Sequence, residues 1–274
     1  MLIGWGWLCR HFLGAGYLYT GGLLSVVCTL VIAWQVFPDT PLVVAANRDE
    51  SNGRHSHAPS VYHDIPRTIA PRDARAGGTW IGYNDCGLFV GITNRWVDRD
   101  GDRSRGQLVA DCLEYGSTTA AARHVRRSID SDQYAGFNLV VTDFERAVLF
   151  EFDGTLSVTE FDPGVHVVVN VGADGDFFEP TARPEVGRQQ AATAERLRAV
   201  LAPASDESAS EWLSRAGEAL GDHEYDVCVH GDGFGTRSSS LIQLASVDGR
   251  IVDDYWFADG PPCRTAFRQV ESSL

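Results

Sequence analysis

The alternation of apolar and polar positions divides the chain into strand-like and helix-like stretches. From Cys28 to Val36 the run CTLVIAWQV is almost wholly apolar and rich in β-branched residues, and the turn-like PDTP follows it. This predicts a buried strand leading into a hairpin. A second strand is predicted near 42–47, then a polar loop through residue 75, then strands near 78–83 and 87–93 separated by the turn NDCG. Residues 105–117 and 118–130 have helical spacing, with Gly116 between them and Ser117 or Thr118 placed to cap the second. The runs FNLVVTD, AVLFEFD, LSVTEF and HVVVNVG, from Phe137 to Gly172, predict a meander that forms a second antiparallel sheet. Helical spacing returns at 186–202, where Ala191, Ala194, Leu197, Val200 and Leu201 make a stripe, and at 207–220, with Ser205 or Asp206 as the cap. The strands SSLIQLAS and RIVDDYWF close the chain. Strand blocks that alternate with helical pairs fit an α+β protein in which two antiparallel sheets are faced by helices, a four-layer α-β-β-α sandwich.

One stretch resists this division. Residues 12–38 carry no charge and follow Arg10, so hydropathy alone suggests a signal anchor. Gly14, Gly16, Gly21 and Gly22 interrupt its first half, whereas its second half is the strand from Cys28. We therefore divide the chain into a leader, residues 1–27, and a single domain, residues 28–274. Translation from a GTG codon at Val27 would expose Cys28 once the initiating Met is removed, and we favour this start-site error. A propeptide, or a lipoprotein signal ending in SVVC, would expose it too. A retained membrane anchor would not.

Composition narrows the partners. The 274 residues carry 23 basic and 37 acidic side chains, a net charge of −14 and a pI near 4.9, and no lysine is present. So few cations exclude a nucleic-acid role. An all-arginine, acidic chain suits a salt-rich cytosol, where ionic strength screens carboxylate repulsion, although GC-biased coding also replaces lysine with arginine. The expected location is cytoplasmic, with no membrane partner unless residues 1–27 are retained. The six cysteines (Cys9, Cys28, Cys86, Cys112, Cys228 and Cys263) are widely spaced, without a C-x-x-C pair or a histidine at zinc-ligand spacing. All but Cys28 are expected to be small core residues. His55, His57 and His63 sit in a polar stretch without ligand spacing, and HGDGFGT at 230–236 lacks the lysine of a phosphate-binding loop, so neither metal nor cofactor is expected.

Several ordered blocks carry a resemblance: Asn47-Arg48-Asp49-Glu50 after the first hairpin, RDARAGGTWIGYNDCGLFVGITN from Arg72 to Asn94, VVVN ending at Asn170, and GFGTRSSSLIQL from Gly233 to Leu244. Together they resemble the NRDE family, also called the transport-and-Golgi-organisation family, over most of the chain. That family is similar in turn to cysteine N-terminal-nucleophile (Ntn) hydrolases such as bile salt hydrolases and penicillin V acylases. The resemblance implies an Ntn-hydrolase-like fold and a site in which Cys28 is the nucleophile, with Arg48 and Asp49 beside it. Asn94 and Asn170 match the oxyanion asparagines, and Arg237 matches a late arginine near the nucleophile. Members have been linked to Golgi organisation and haem handling.

The chemistry explains why such residues would be needed. A free thiol has a pKa near 8.5, so it needs a base, and an α-amine of pKa about 7.7–8.0 on the same residue supplies one. Arg48 would favour the thiolate, and Asp49 would orient the ammonium and the guanidinium. Asn94 and Asn170 would donate to the oxyanion. The expected function is hydrolysis of a non-peptide C–N (amide) bond in a small molecule. The alternative is a non-catalytic binding or trafficking protein for a hydrophobic ligand such as haem or an acyl thioester. Glu50, Thr79 and Trp80 read as scaffold.

Overall fold

The computed structural model describes residues 28–271 and 274, so the leader expected at 1–27 lies outside the described residues. The first sheet holds β1 (Cys28–Phe37), β2 (Thr40–Ser51), β10 (Gly164–Val169), β11 (Gly172–Ala173), β12 (Asp176–Phe177), β13 (His230–Gly231), β14 (Phe234–Val247), β15 (Arg250–Ala258) and β16 (Arg268–Gln269). Its order is β12-β11-β10-β1-β2-β14-β15-β16, with β13 paired to β14. The second sheet runs in sequence order through β3 (Ser56–Asp64), β4 (Arg67–Asp73), β5 (Ile81–Asn84), β6 (Phe89–Asn94), β7 (Phe137–Thr142), β8 (Ala147–Phe152) and β9 (Leu156–Glu160). The helices are α1 (Arg105–Cys112), α2 (Thr118–Ser131), α3 (Pro184–Val200) and α4 (Ala209–Gly221).

Strand pleating sorts side chains into three apolar layers, which makes the four-layer α-β-β-α sandwich. On β1 and β2, Leu30, Ile32, Leu42 and Val44 pack between the sheets against Ile69, Tyr83 and Phe89. Val31, Ala33, Val43 and Ala45 face the opposite way, onto Leu197 of α3 and Trp212 of α4. Phe137, Leu139 and Val141 of β7 turn outward to Leu108 of α1 and Val125 of α2. Among the described residues no helix is long and apolar enough to cross a membrane.

The structure corrects four expectations. The polar loop through residue 75 contains the β3–β4 hairpin; β3 is an edge strand whose side chains are mostly exposed, so it shows no apolar alternation. The meander does not make a sheet of its own. Three of its strands extend the sheet begun by β3–β6, and β10 crosses to pair with β1. Helix α1 ends at Cys112, because Asn84 Nδ2 donates to the carbonyls of Leu113 and Tyr115, both at 2.8 Å, and so satisfies C-terminal acceptors from outside the helix. Helix α4 starts from a Ser208–Glu211 capping box, reciprocal in both directions, rather than from Ser205 or Asp206.

Candidate active site

Cys28 opens β1 opposite Arg48 of β2, and Arg48 in turn lies opposite Ser238 of β14. Residues directly opposed across an antiparallel pair share a face. The Cys28 thiol and the Arg48 guanidinium therefore look between the sheets. The Cys28 backbone N–H donates to Asn170 Oδ1 at 3.0 Å, and the thiol lies 3.8 Å from the Asp49 carbonyl oxygen. Asn170, wholly buried just past β10, uses the rest of its amide as a clamp. Its Oδ1 also accepts from Gln190 Nε2 at 2.9 Å, and its Nδ2 donates to the Asn94 carbonyl at 2.7 Å.

Arg48 is buried, and its guanidinium stacks 4.3 Å above the Trp80 ring. Its carboxylate neighbours are Asp73 at 3.5 Å and Glu50 at 3.8 Å. Arg54 closes the network, 2.7 Å from Asp73 and 3.8 Å from Glu50. Burial alone would raise the Asp73 pKa, but the Arg54 contact and the Ala76 and Arg75 N–H donors outweigh it and hold the carboxyl below its usual range. Asp49 points the other way. Like Asn47, whose amide donates to the carbonyls of Leu220 and Val227, it belongs to the helix-facing side of β2. It is wholly buried, and neither carboxylate oxygen accepts a well-formed hydrogen bond. Burial pushes its pKa well above the carboxylate range, although the Thr236 hydroxyl and Arg48 pull downward.

Burial, reinforced by the Asp49 charge, likewise pushes the Cys28 thiol up to about 12, and the Asp49 backbone contact and Arg48 offset this only in part. Arg48 does favour the thiolate, as expected, but its pull is smaller than the effect of burial. Burial thus keeps the thiol protonated at neutral pH, so any nucleophilic role requires a base beside the sulfur.

A cleft of about 380 Å³ opens over Cys28. Of the residues expected at the site, Cys28, Arg48 and Asn94 line it, and Asp49 borders it with its backbone carbonyl 3.8 Å from the thiol. Asn170 supports it from behind. Arg237 does not line it: the residue sits half-buried at a bulge in β14, between Thr236 and Ser238, where the register with β2 shifts. Other walls went unrecognised in the sequence. Glu50, Thr79 and Trp80, read there as scaffold, line the cleft with Arg54, Asp73 and Arg105. Arg105 stands at the start of α1, donates to the Gly136 carbonyl at 2.7 Å, and has its pKa lowered by burial. The signal for Asp73, Thr79 and Trp80 was the RDARAGGTW run itself, which places Asp73 and Trp80 on either side of the Gly77-Gly78 turn.

The cysteine expectation also needs correction. Cys112 and Cys228 are buried, but Cys86 and Cys263 are exposed. The fold moreover gathers His223, Cys228, His230 and Cys263 into one group. Sequence spacing concealed this, because Cys263 arrives from a distant turn, although Cys228-Val229-His230 was a local hint.

A cysteine that heads an inner strand of a four-layer α-β-β-α sandwich, at the floor of a charged cleft, defines the Ntn-hydrolase-like class of architecture. An N-acylethanolamine-hydrolyzing acid amidase orthologue from Caenorhabditis elegans shares this fold, with a TM-score of 0.52, 14% identity, and coverage of 81% of this chain and 93% of that one. Within that class, residues 27–251 match the family model described as Transport and Golgi organisation 2, and the chain belongs to this family. Transport and Golgi organization protein 2 homologues are similar to it: the Bos taurus protein is 27% identical over 242 residues and the Homo sapiens protein 25% over 236. Each comparison covers 77% of this chain and 84% of the relative.

Proposed function

We propose that this chain is a cysteine Ntn hydrolase of a non-peptide amide, with Cys28 as nucleophile and its own α-amine as base. The observation that carries the reading is the placement of both functional atoms of one residue. The Cys28 sulfur faces the cleft, and the Cys28 nitrogen is fixed by Asn170 at 3.0 Å. The matched family segment opens one residue before Cys28, which supports a working chain that begins there. An amide nitrogen is not basic, whereas an amine in that position can take the thiol proton that burial otherwise retains.

In the proposed reaction the amine accepts the thiol proton, and the sulfur attacks the substrate carbonyl carbon. In this reading the resulting oxyanion is stabilised by the side-chain amide of Asn94, a residue that lines the cleft. Collapse breaks the C–N bond as the ammonium returns its proton to the departing amine. Water, deprotonated by the same amine, then hydrolyses the thioester and restores the thiol. Asn170, its amide already committed, acts as a positioning residue for the Cys28 nitrogen. Arg48, Arg54 and Arg105 facing Glu50 and Asp73 make the cleft polar, which favours a small polar amide over a large apolar ligand.

The native protein should have an intact mass that starts at Cys28 and form an acyl adduct with members of a panel of simple linear amides. Cys28→Ala should lower turnover at least about 10⁴-fold with an unchanged melting temperature. Retention of residues 1–27, or a complete lack of adduct, would sink the catalytic reading. A hydrophobic ligand bound equally well by Cys28→Ser would favour the carrier alternative.

A further inference from the structure

On the helix side of the first sheet, away from the thiol of Cys28, three segments converge. After α4 the chain makes a short 3-10 turn, His223–Tyr225, and Cys228 and His230 then flank Val229 on the way into β13. Cys263 comes from the turn after β15, held in shape by the Arg264 and Thr265 N–H groups, which both donate to the Pro261 carbonyl at 3.0 Å. The potential ligand atoms of His223, Cys228, His230 and Cys263 all lie within 4.8 Å of one another. His230 Nε2 is 3.2 Å from the Cys263 sulfur and 3.7 Å from the Cys228 sulfur. The His223 and His230 rings stand 5.2 Å apart at a steep angle, as two imidazoles do when they converge on one point rather than stack.

These separations carry chemical meaning. Metal–sulfur and metal–nitrogen bonds of roughly 2.3 and 2.0 Å in a tetrahedron give ligand-to-ligand edges of about 3.3–3.8 Å. The two His230–sulfur distances already fall close to that range, and the widest separation requires an inward movement of only about 1 Å. Two thiols and two imidazoles are soft and borderline donors, which excludes magnesium and calcium and suits zinc.

We propose that His223, Cys228, His230 and Cys263 form a Cys₂His₂ site for one zinc(II) ion. Four protein ligands fill the tetrahedron, so the ion is structural and leaves no open position for substrate. Binding converts both thiols to thiolates and releases their two protons to solvent, which leaves a neutral centre. The ion would tie the end of α4 and the C-terminal turn to the start of β14. Val229 and Thr236 exchange hydrogen bonds there, and Thr236 lies opposite Asp49. The site thus braces the strand that borders the Asn47–Glu50 stretch from behind.

The test uses the full chain, purified without chelator. It should carry one equivalent of zinc by elemental analysis. After chelation it should take up cobalt(II) with the thiolate charge-transfer band and the intense visible envelope of tetrahedral coordination. Cys263→Ser and His230→Ala, both at exposed positions, should keep the far-UV circular dichroism of the parent and weaken zinc affinity by more than about 100-fold, beyond what loss of an outer-shell partner costs. Cys86→Ser, an exposed thiol elsewhere, should bind as the parent does. The proposal is overturned if the parent takes up no cobalt with a thiolate band, or if Cys263→Ser retains full affinity. It is equally overturned if the isolated protein is lighter by two hydrogens because Cys228 and Cys263 are joined as a disulfide.

Discussion

Pleating decides which partners the charges of Asn47-Arg48-Asp49-Glu50 can reach. Arg48 and Glu50 share the inner face with Cys28, while Asn47 and Asp49 face the helices, so the salt-bridge partners of Arg48 are Glu50 and Asp73 rather than Asp49. Asp49 is left as a buried carboxyl without a good donor, and burial raises its pKa well above 3.8. Between the unfolded and folded pKa values the native state holds a proton that the unfolded chain has lost. Native stability therefore falls as pH rises through that window and is least affected below it. Asp49→Asn removes this loss, so its stability relative to the parent should grow as pH rises above about 4. Denaturation midpoints measured across a pH series check this; a flat difference would mean that the carboxyl titrates alike in the native and unfolded chains, and a variant that loses ground as pH rises would mean that the native carboxylate is ionised and paired.

At the scale of elements, the cleft depends on how closely the turn before β5 lies against the start of α1. The Thr79 N–H donates to the Gly106 carbonyl at 3.0 Å, and a Cβ on Gly78 would fall 2.3 Å from the Gly106 carbonyl carbon, a backbone atom that cannot swing aside. Gly78→Ala should push the first turn of α1 outward, carry Arg105 with it, and cost about 1–3 kcal/mol. A lower denaturation midpoint together with loss of the acyl adduct would show this; unchanged stability would mean that α1 adjusts freely. Elements were the most legible level of the sequence. The apolar runs located β1, β2, β5, β6, β7, β8, β9, β10, β14 and β15, and helical spacing located all four helices of the described residues. The hairpin of β3 was hidden because an edge strand buries little and so need not alternate, and the end of α1 because its cause, Asn84, lies 29 residues upstream of the Leu113 carbonyl it satisfies.

For the molecule as a whole, charge is the dominant long-range property. With −14 net charge and arginine as the only basic side chain besides histidine, self-repulsion opposes the compact state at low ionic strength. The denaturation midpoint should rise steadily as salt increases from about 0.05 M to the molar range, where the screening length falls to about 3 Å. A midpoint indifferent to salt would favour coding bias over salt adaptation as the origin of the missing lysines.

The sequence by itself determined most of the strands and the helices, the two-sheet layering they imply, and the blocks that hold Cys28, Arg48 and Asn94, because residue period and local turn chemistry encode burial one segment at a time. Tertiary structure alone decided which sheet each strand joins, that β10 rather than β9 lies beside β1, and that Asn170 grips the Cys28 nitrogen. It also placed Arg237 outside the cleft and brought Cys263 to His230 across 33 residues. These are pairings between distant segments, fixed by register and by the packing of three cores at once, and no local pattern records them.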